Sequence, residues 1–193
     1  MKEDNKKADS FNLVYLNTES EPNNETTKQK EENVISKILS NNEKRNIKKN
    51  FDRKGFNFYN VDSVYTSNNA DYKNNIWDKG HLAPAGSFSD TEGNLRATFS
   101  FLNCVLQHYY LNRNEWAQLE GQVRDWVVAD NADIDVRIDI IFDYGHQILP
   151  TGAHVPSAFK KTLNFANGTK KCFYFPNAHT NGKDWTEFEI SCN

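Results

Sequence analysis

At 193 residues and a formal net charge of −3, the chain has room for one domain with a sizeable core, and it is no polycation that would hold a nucleic-acid backbone by overall charge. The apolar fraction of 37% and the mean hydropathy of −0.80 are low, yet aromatic residues reach 13% and gather beyond residue 50, so a folded body behind a polar leader is expected. No apolar run approaches the roughly 20 residues that a membrane span needs, which argues against a membrane partner.

The opening MKEDNKKADS reads as a flexible tail over residues 1–10. It lacks the apolar core of a secretory signal, leaving an intracellular chain or a secreted one already processed. FNLVYLN (11–17) has strand composition. A polar segment of about 18–50, crowded with Asn, Glu and Thr, reads as loop or mobile chain. Within it, VISKIL (34–39) is expected to make one or two helical turns. The run EKRNIKKNFDRK (43–54) carries six cations against two acids. Such a run is most often a wet surface, and it is also the most basic stretch available to a phosphate backbone.

After NADYKNNIWDKGH comes a turn-rich loop, then RATFSFLNCVL (96–106), of strand composition. The clearest helix is LNRNEWAQLEGQVRDWVVADN (111–131): at about 100° per residue, Trp116, Leu119, Val123, Trp126 and Val127 fall in one apolar arc. Alternation of Val136, Ile138, Ile140 and Phe142 marks a half-buried strand. AFKKTLNF and KCFYFP follow as two strands about an NGT turn. Strands, a long helix and further strands make an α+β body, read as a single domain over 11–193. Cys172 and Cys192 are a pair for an oxidising compartment, with Cys104 left over; no bridge at all is the commoner reading of three scattered cysteines.

The angular count places Asn112 in the middle of the apolar arc, where an unsatisfied carboxamide is costly. Asn is a favoured N-cap; its amide oxygen also suits a hard cation such as magnesium. Glu120 lies two turns on and Arg124 one turn further, a spacing usual for a surface ion pair, or, beside a metal, for holding its water. His81 sits in Asp78-Lys79-Gly80-His81. A lone loop histidine is commonly incidental. With Lys79 beside it and a strand leading to the Asn112 helix, it has the makings of a phosphodiester-cleaving centre: a base for water, a cation for the phosphate, a metal for the leaving oxygen.

Those residues, DKGHLAPAG followed by TFSFLNCVLQHYYLNRNEWAQLEGQVRDW, resemble the DNA/RNA non-specific endonucleases. This family of the His-Me finger (ββα-metal) group includes secreted bacterial nucleases and mitochondrial endonuclease G. Its pattern D-R-G-H, a strand ending in Asn, then L-N-x-x-x-W-x-x-L-E and a basic residue maps onto Asp78–His81, Asn103, Leu111-Asn112, Trp116, Leu119-Glu120 and Arg124. The resemblance is strong over 71–130 and weaker over 134–176, where HVPSAFKK (154–161) is similar to a later segment. It is faint before residue 60, where a further family arginine would fall on Arg53 or nowhere.

The resemblance implies a ββα-metal core with a mostly antiparallel sheet and a long helix carrying the metal ligand. It implies His81 as general base, Asn112 as the direct ligand of Mg2+ (Mn2+ being the alternative ion), and Glu120 as a ligand through water. Asn103 would fix local geometry, and Lys79 and Arg124 would supply positive charge. DNA and RNA would be the substrates, cut to 5′-phosphate and 3′-hydroxyl ends; monomer and homodimer both stay open.

Two departures stand out. Lys79 replaces the usual Arg, keeping charge and losing the two-pronged grip, so a lower rate or altered preference is expected. Leu106 stands where Pro is common. Lys79 also keeps open a second reading, a non-catalytic relative that binds nucleic acid or a protein partner. A structural zinc protein fits poorly, because His108, His146, His154 and His179 are spread along the chain and no C-x-x-C occurs.

Overall fold

Period-two alternation builds the centre of the molecule. The computed structural model describes residues 13–16, 32–39, 53–62, 64–89 and 91–192. Strand β5 (Ile134–Ile141) buries Ile134, Ile138 and Ile140. It lies inside a six-stranded antiparallel sheet of order β1 (Leu13–Leu16), β2 (Glu32–Leu39), β5, β6 (Ala158–Phe165), β7 (Lys170–Pro176), β8 (Glu189–Ile190). The expected β6–β7 hairpin is present, and its turn uses Gly168 at φ 85°, a conformation that glycine adopts without a Cβ penalty.

Residues 34–39, expected as helical turns, instead belong to strand β2, which pairs with β5 from Ile35↔Ile138 to Leu39↔Ile134. Val34, Ile35 and Ile38 are β-branched, and the open edge of β5 offers a complete hydrogen-bond ladder, so sheet pairing outweighs the local spacing. The segment 18–50 is therefore not loop throughout. The expected tail 1–10, the rest of 18–50 and most of the basic run 43–54 lie outside the described residues.

A second sheet is the hairpin of β3 (Trp77–His81) and β4 (Cys104–His108), in register from Trp77↔His108 to His81↔Cys104. The expected strand over 96–106 is realised only at its end. Thr91 Oγ1 accepts from Asn94 N at 3.1 Å and starts helix α1 (Glu92–Thr98). A 3-10 turn at Phe101–Asn103 then leads into β4. The expected long helix is two helices: α2 (Tyr109–Arg113) and α3 (Glu115–Ala129) meet at Asn114, whose φ −116° and ψ −97° break the spiral.

On α3, Trp116, Leu119, Val123 and Val127 are buried as the spacing predicted, with Trp126 packed at the margin. They share one core with Ile134, Ile138, Phe159, Leu163, Phe173 and Phe175. Truncating a side chain such as Trp116, 1% exposed, to alanine costs about 3–5 kcal/mol. Leu106, at the unusual position, packs with Trp77, Leu149 and Val155 in a smaller core behind the hairpin. Cys172 and Cys192 are bridged, contrary to the commoner expectation, because β7 and β8 bring their Cα atoms to 5.3 Å; Cys104 is free and buried. Among the described residues no helix is long and apolar enough to cross a membrane.

Candidate active site

Along a strand, successive side chains face opposite ways, so Lys79 and His81 share one face of β3 and Asp78 and Gly80 the other. The His81 ring packs against Phe58 (centroids 5.0 Å) and edge-on to Phe99 (5.1 Å). Its Nε2 is buried without a hydrogen-bond partner. Burial, and then the charge of Arg53, push the imidazole from its ordinary 6.5 down to about 4, which leaves it neutral at physiological pH.

The chain beyond His81 is clamped by Asn103. Its Oδ1 accepts from Ala83 N at 2.8 Å, and its Nδ2 donates to Ala83 O at 2.9 Å and Thr98 O at 3.0 Å. Leu82 N also donates to Asn103 O at 3.1 Å. Backbone groups that would be costly to bury unpaired are thereby satisfied, and the loop after His81 is held at a fixed distance from β4. Lys79 sits over the rings of Phe58, Phe101 and Tyr72, with Nζ 5.3, 5.6 and 5.8 Å from their centroids, and donates to Asn69 Oδ1.

Asn112 is not in the middle of the apolar arc, because the break at Asn114 resets the phase between α2 and α3. Nor is it an N-cap: His108 precedes α2, with Nδ1 accepting from Tyr110 N at 3.1 Å, and Asn114 precedes α3. Asn112 is half-buried and donates through Nδ2 to Asp78 Oδ2 at 3.0 Å. Arg113 grips the same carboxylate with Nε and Nη2, both at 2.7 Å. Burial works to raise the Asp78 pKa, but the hydrogen bonds from Arg113 and Asn112 more than offset it and hold the carboxyl below its usual range.

Glu120 is half-buried rather than part of a surface ion pair, and its Oε1 is buried with no hydrogen-bond partner. It lines a cavity of about 30 Å3 together with Leu82, Ala83, Pro84 and Lys161. Lys161, 2% exposed, lies with Nζ 3.6 Å from the centroid of the Trp116 ring. Burial pushes Lys161 down to about 8 and Glu120 up; their mutual attraction opposes both shifts, and Arg124 and Arg53 add to it on Glu120. Arg124 lies over the loop after His81, its Nη1 3.6 Å from where a Cβ on Gly86 would be.

Glu120 faces Leu82–Pro84 across the cavity, Arg124 reaches Gly86, and the charge of Arg53 is felt at both His81 and Glu120. Asn112 joins β3 through Asp78, on the face of that strand opposite His81. Lys79 shares the Phe58 ring with His81, its ammonium seated over Phe58, Phe101 and Tyr72. Sequence reasoning passed over Asp78, though it heads the D-K-G-H run, and Lys161, though it closes HVPSAFKK. Arg53, left open there, lies within electrostatic reach of the histidine. The oxygen donors Asn112 Oδ1 and the Glu120 carboxylate suit a hard cation. Among the described residues, no group of three or more His, Cys, Asp or Glu gathers as a metal cluster.

An antiparallel hairpin carrying the histidine, bonded to the helix carrying the asparagine and set against an antiparallel sheet, is the ββα-metal nuclease arrangement. The sequence pattern described as DNA/RNA non-specific endonuclease matches residues 4–193, and the chain belongs to that family. It is 35% identical over 77 residues to "Nuclease EXOG, mitochondrial" of Danio rerio, covering 36% of this chain and 22% of that protein. It is 30% identical over 125 residues to "Nuclease C1" of Cunninghamella echinulata var. echinulata, 59% and 49% covered. With human "Endonuclease G, mitochondrial" it shares 36% identity over 76 residues, 38% and 26% covered. In each case the match spans less than half of the relative's length. The fold is also that of the EndoG chain in the crystal structure of an EndoG/EndoGI complex, with a TM-score of 0.65 at 22% identity over 82% of this chain and 72% of that one.

Proposed function

We propose that this chain is a magnesium-dependent endonuclease, with manganese the alternative ion, that hydrolyses phosphodiester bonds of DNA and RNA without sugar specificity to 5′-phosphate and 3′-hydroxyl ends. The observation that carries the reading is the state of His81: a neutral imidazole with Nε2 buried and unpartnered, on the strand whose Asp78 binds Asn112.

In this reading, His81 Nε2 takes the proton of the attacking water. Asn103 holds the backbone that follows, so that the imidazole keeps its aim. Asn112 offers its amide oxygen as the direct ligand of the ion, and Glu120 holds the ion through water. When bound, the ion supplies charge that offsets what builds up on the phosphate and the leaving oxygen. Arg124 and Arg53 add positive potential around residues 82–88, and Lys79 contributes a point charge from its aromatic seat. Contacts that address the phosphate backbone rather than base edges give tolerance for DNA and RNA alike.

Incubating the protein with plasmid and with total RNA, in magnesium and then in chelator, tests the reading. Cutting of both in magnesium, lost in chelator and in His81→Ala, is expected. Intact substrates in magnesium would instead favour the non-catalytic, binding relative, to which the engaged ammonium of Lys79 lends some support.

A further inference from the structure

His146 and His154, eight residues apart on the segment joining β5 to β6, bring their rings together. His146 Nε2 lies 2.6 Å from His154 Nδ1, with ring centroids 4.9 Å apart. The other nitrogen of His146, Nδ1, faces the carbonyl oxygen of Asp143 at 2.9 Å. A carbonyl can only accept, so Nδ1 carries a proton, and in the neutral ring Nε2 presents a lone pair toward His154. Metal-binding histidines use this device: one ring nitrogen donates to a carbonyl, which fixes the tautomer and turns the other nitrogen to the ion.

The backbone holds the pair in place. His146 N donates to Asp143 O at 3.0 Å, Val155 N to Gln147 O at 2.9 Å and Leu149 N to Ala153 O at 2.9 Å. Ile148 and His154 form an antiparallel bridge. Leu149 and Val155 sink into the small core with Trp77 and Leu106. Phe142 stands edge-on to both rings, at 5.1 and 6.5 Å. Both histidines are half-buried, so an ion can reach them with its remaining waters.

We propose that His146 and His154 form a two-nitrogen clip for a divalent transition metal of the zinc, copper and nickel class, apart from the nuclease centre. Imidazole nitrogen suits these ions, whereas magnesium prefers oxygen. Zinc–nitrogen bonds of about 2.0–2.1 Å at a tetrahedral angle set two ligands about 3.3 Å apart, so the nitrogens need to part by less than about 1 Å and each ring to turn until its lone pair aims at an ion beside the line that joins them. In the pair as it stands, a proton lies between the nitrogens. On binding, His154 shifts that proton from Nδ1 to Nε2, both facing nitrogens give lone pairs to the ion, and no oxidation state changes. The ion cross-links the two ends of the loop that seats Leu149 and Val155 under the β3–β4 hairpin, and it stabilises the fold by mass action.

Calorimetric titration of the full chain with Zn2+, in excess magnesium, and Cu2+ electron paramagnetic resonance test the clip. We expect one ion bound through two nitrogens, a melting temperature that rises with zinc, and both effects retained in His81→Ala and His179→Ala. His146→Ala and His154→Ala should each weaken binding by about tenfold or more and abolish the melting shift. His154→Gln, which keeps a hydrogen-bonding side chain, should do the same in a chain that melts like wild type without zinc. Undiminished affinity in the His146 and His154 variants, or loss in His81→Ala or His179→Ala, places the ion elsewhere and overturns the clip. Plasmid cutting by the same preparations reads the nuclease reading separately.

Discussion

Asn112 turns its amide nitrogen to the Asp78 carboxylate, Nδ2 to Oδ2 at 3.0 Å, and because a carboxylate accepts only, the amide oxygen must point the other way. Asp78 is thereby the residue that aims the proposed metal ligand. Asp78→Ala should raise the magnesium concentration for half-maximal plasmid cutting by about 10–100-fold, the loss typical when a ligand's supporting partner is removed. A magnesium titration alongside a melting curve checks this; an unchanged requirement in a folded variant would remove Asp78 from that role.

His81, held at about 4, should stay an active base well below the ordinary histidine range. Cutting rate is expected to remain level as pH falls through 6.5 and to drop nearer 4. The same depression has a sign in stability. The unfolded chain protonates His81 from about 6.5 and the folded chain only near 4, so stability is complete above 6.5 and lost as pH falls between the two, by about 3 kcal/mol. Urea denaturation at neutral and acid pH should show that acid loss reduced in His81→Ala.

Lys161, buried, and Glu120, half-buried with its Oε1 shielded from solvent, are opposite charges on the same cavity wall. Removing one strands the other, so Lys161→Met should cost about 3–5 kcal/mol, while Glu120→Gln with Lys161→Met should cost less than the sum of the single changes. Urea melts of the single and double variants measure the coupling; strict additivity would mean that the two do not interact.

Gly80 lies against Gln107, which is fully buried; a Cβ at Gly80 would stand 2.6 Å from the Gln107 Cβ. Both residues are in strands, so neither backbone can yield cheaply. Gly80→Ala should cost about 1–3 kcal/mol and impair cutting, because Lys79 and His81 flank it. Gly93, in α1 with open space around it, provides the contrast: Gly93→Ala should stabilise by roughly 0.5–1 kcal/mol. Paired melting curves decide both.

The parts of the fold legible in the sequence were those with a period or a turn signal. Alternation announced β5, the NGT turn between two short segments announced β6 and β7, and the Trp116–Val127 stripe announced α3. Strand β2 was misread because four apolar residues in six fit a helix as well as a strand, and only the waiting edge of β5 chooses between them. The break at Asn114 was hidden for a related reason: its unusual backbone angles serve the packing of two helices in different directions, and no residue type there demands them. No local feature of AFKKTLNF sets Lys161 apart from Lys160. Strand alternation turns Lys160 and Lys161 to opposite faces and buries the second over Trp116.

Residue types and intervals, read without coordinates, determined which side chains are candidates for the chemistry, since a base, an amide oxygen and a carboxylate at those spacings are properties of the chain itself. What only the tertiary structure decided is the condition each group is in. Phe58, Phe99 and Arg53 set the protonation of His81, Asp78 sets the orientation of Asn112, and Lys161 supplies the charge opposite Glu120. Protonation and orientation depend on solvent exclusion and on charges a few ångströms away, and those neighbours come from segments up to 41 residues distant along the chain (Glu120 to Lys161).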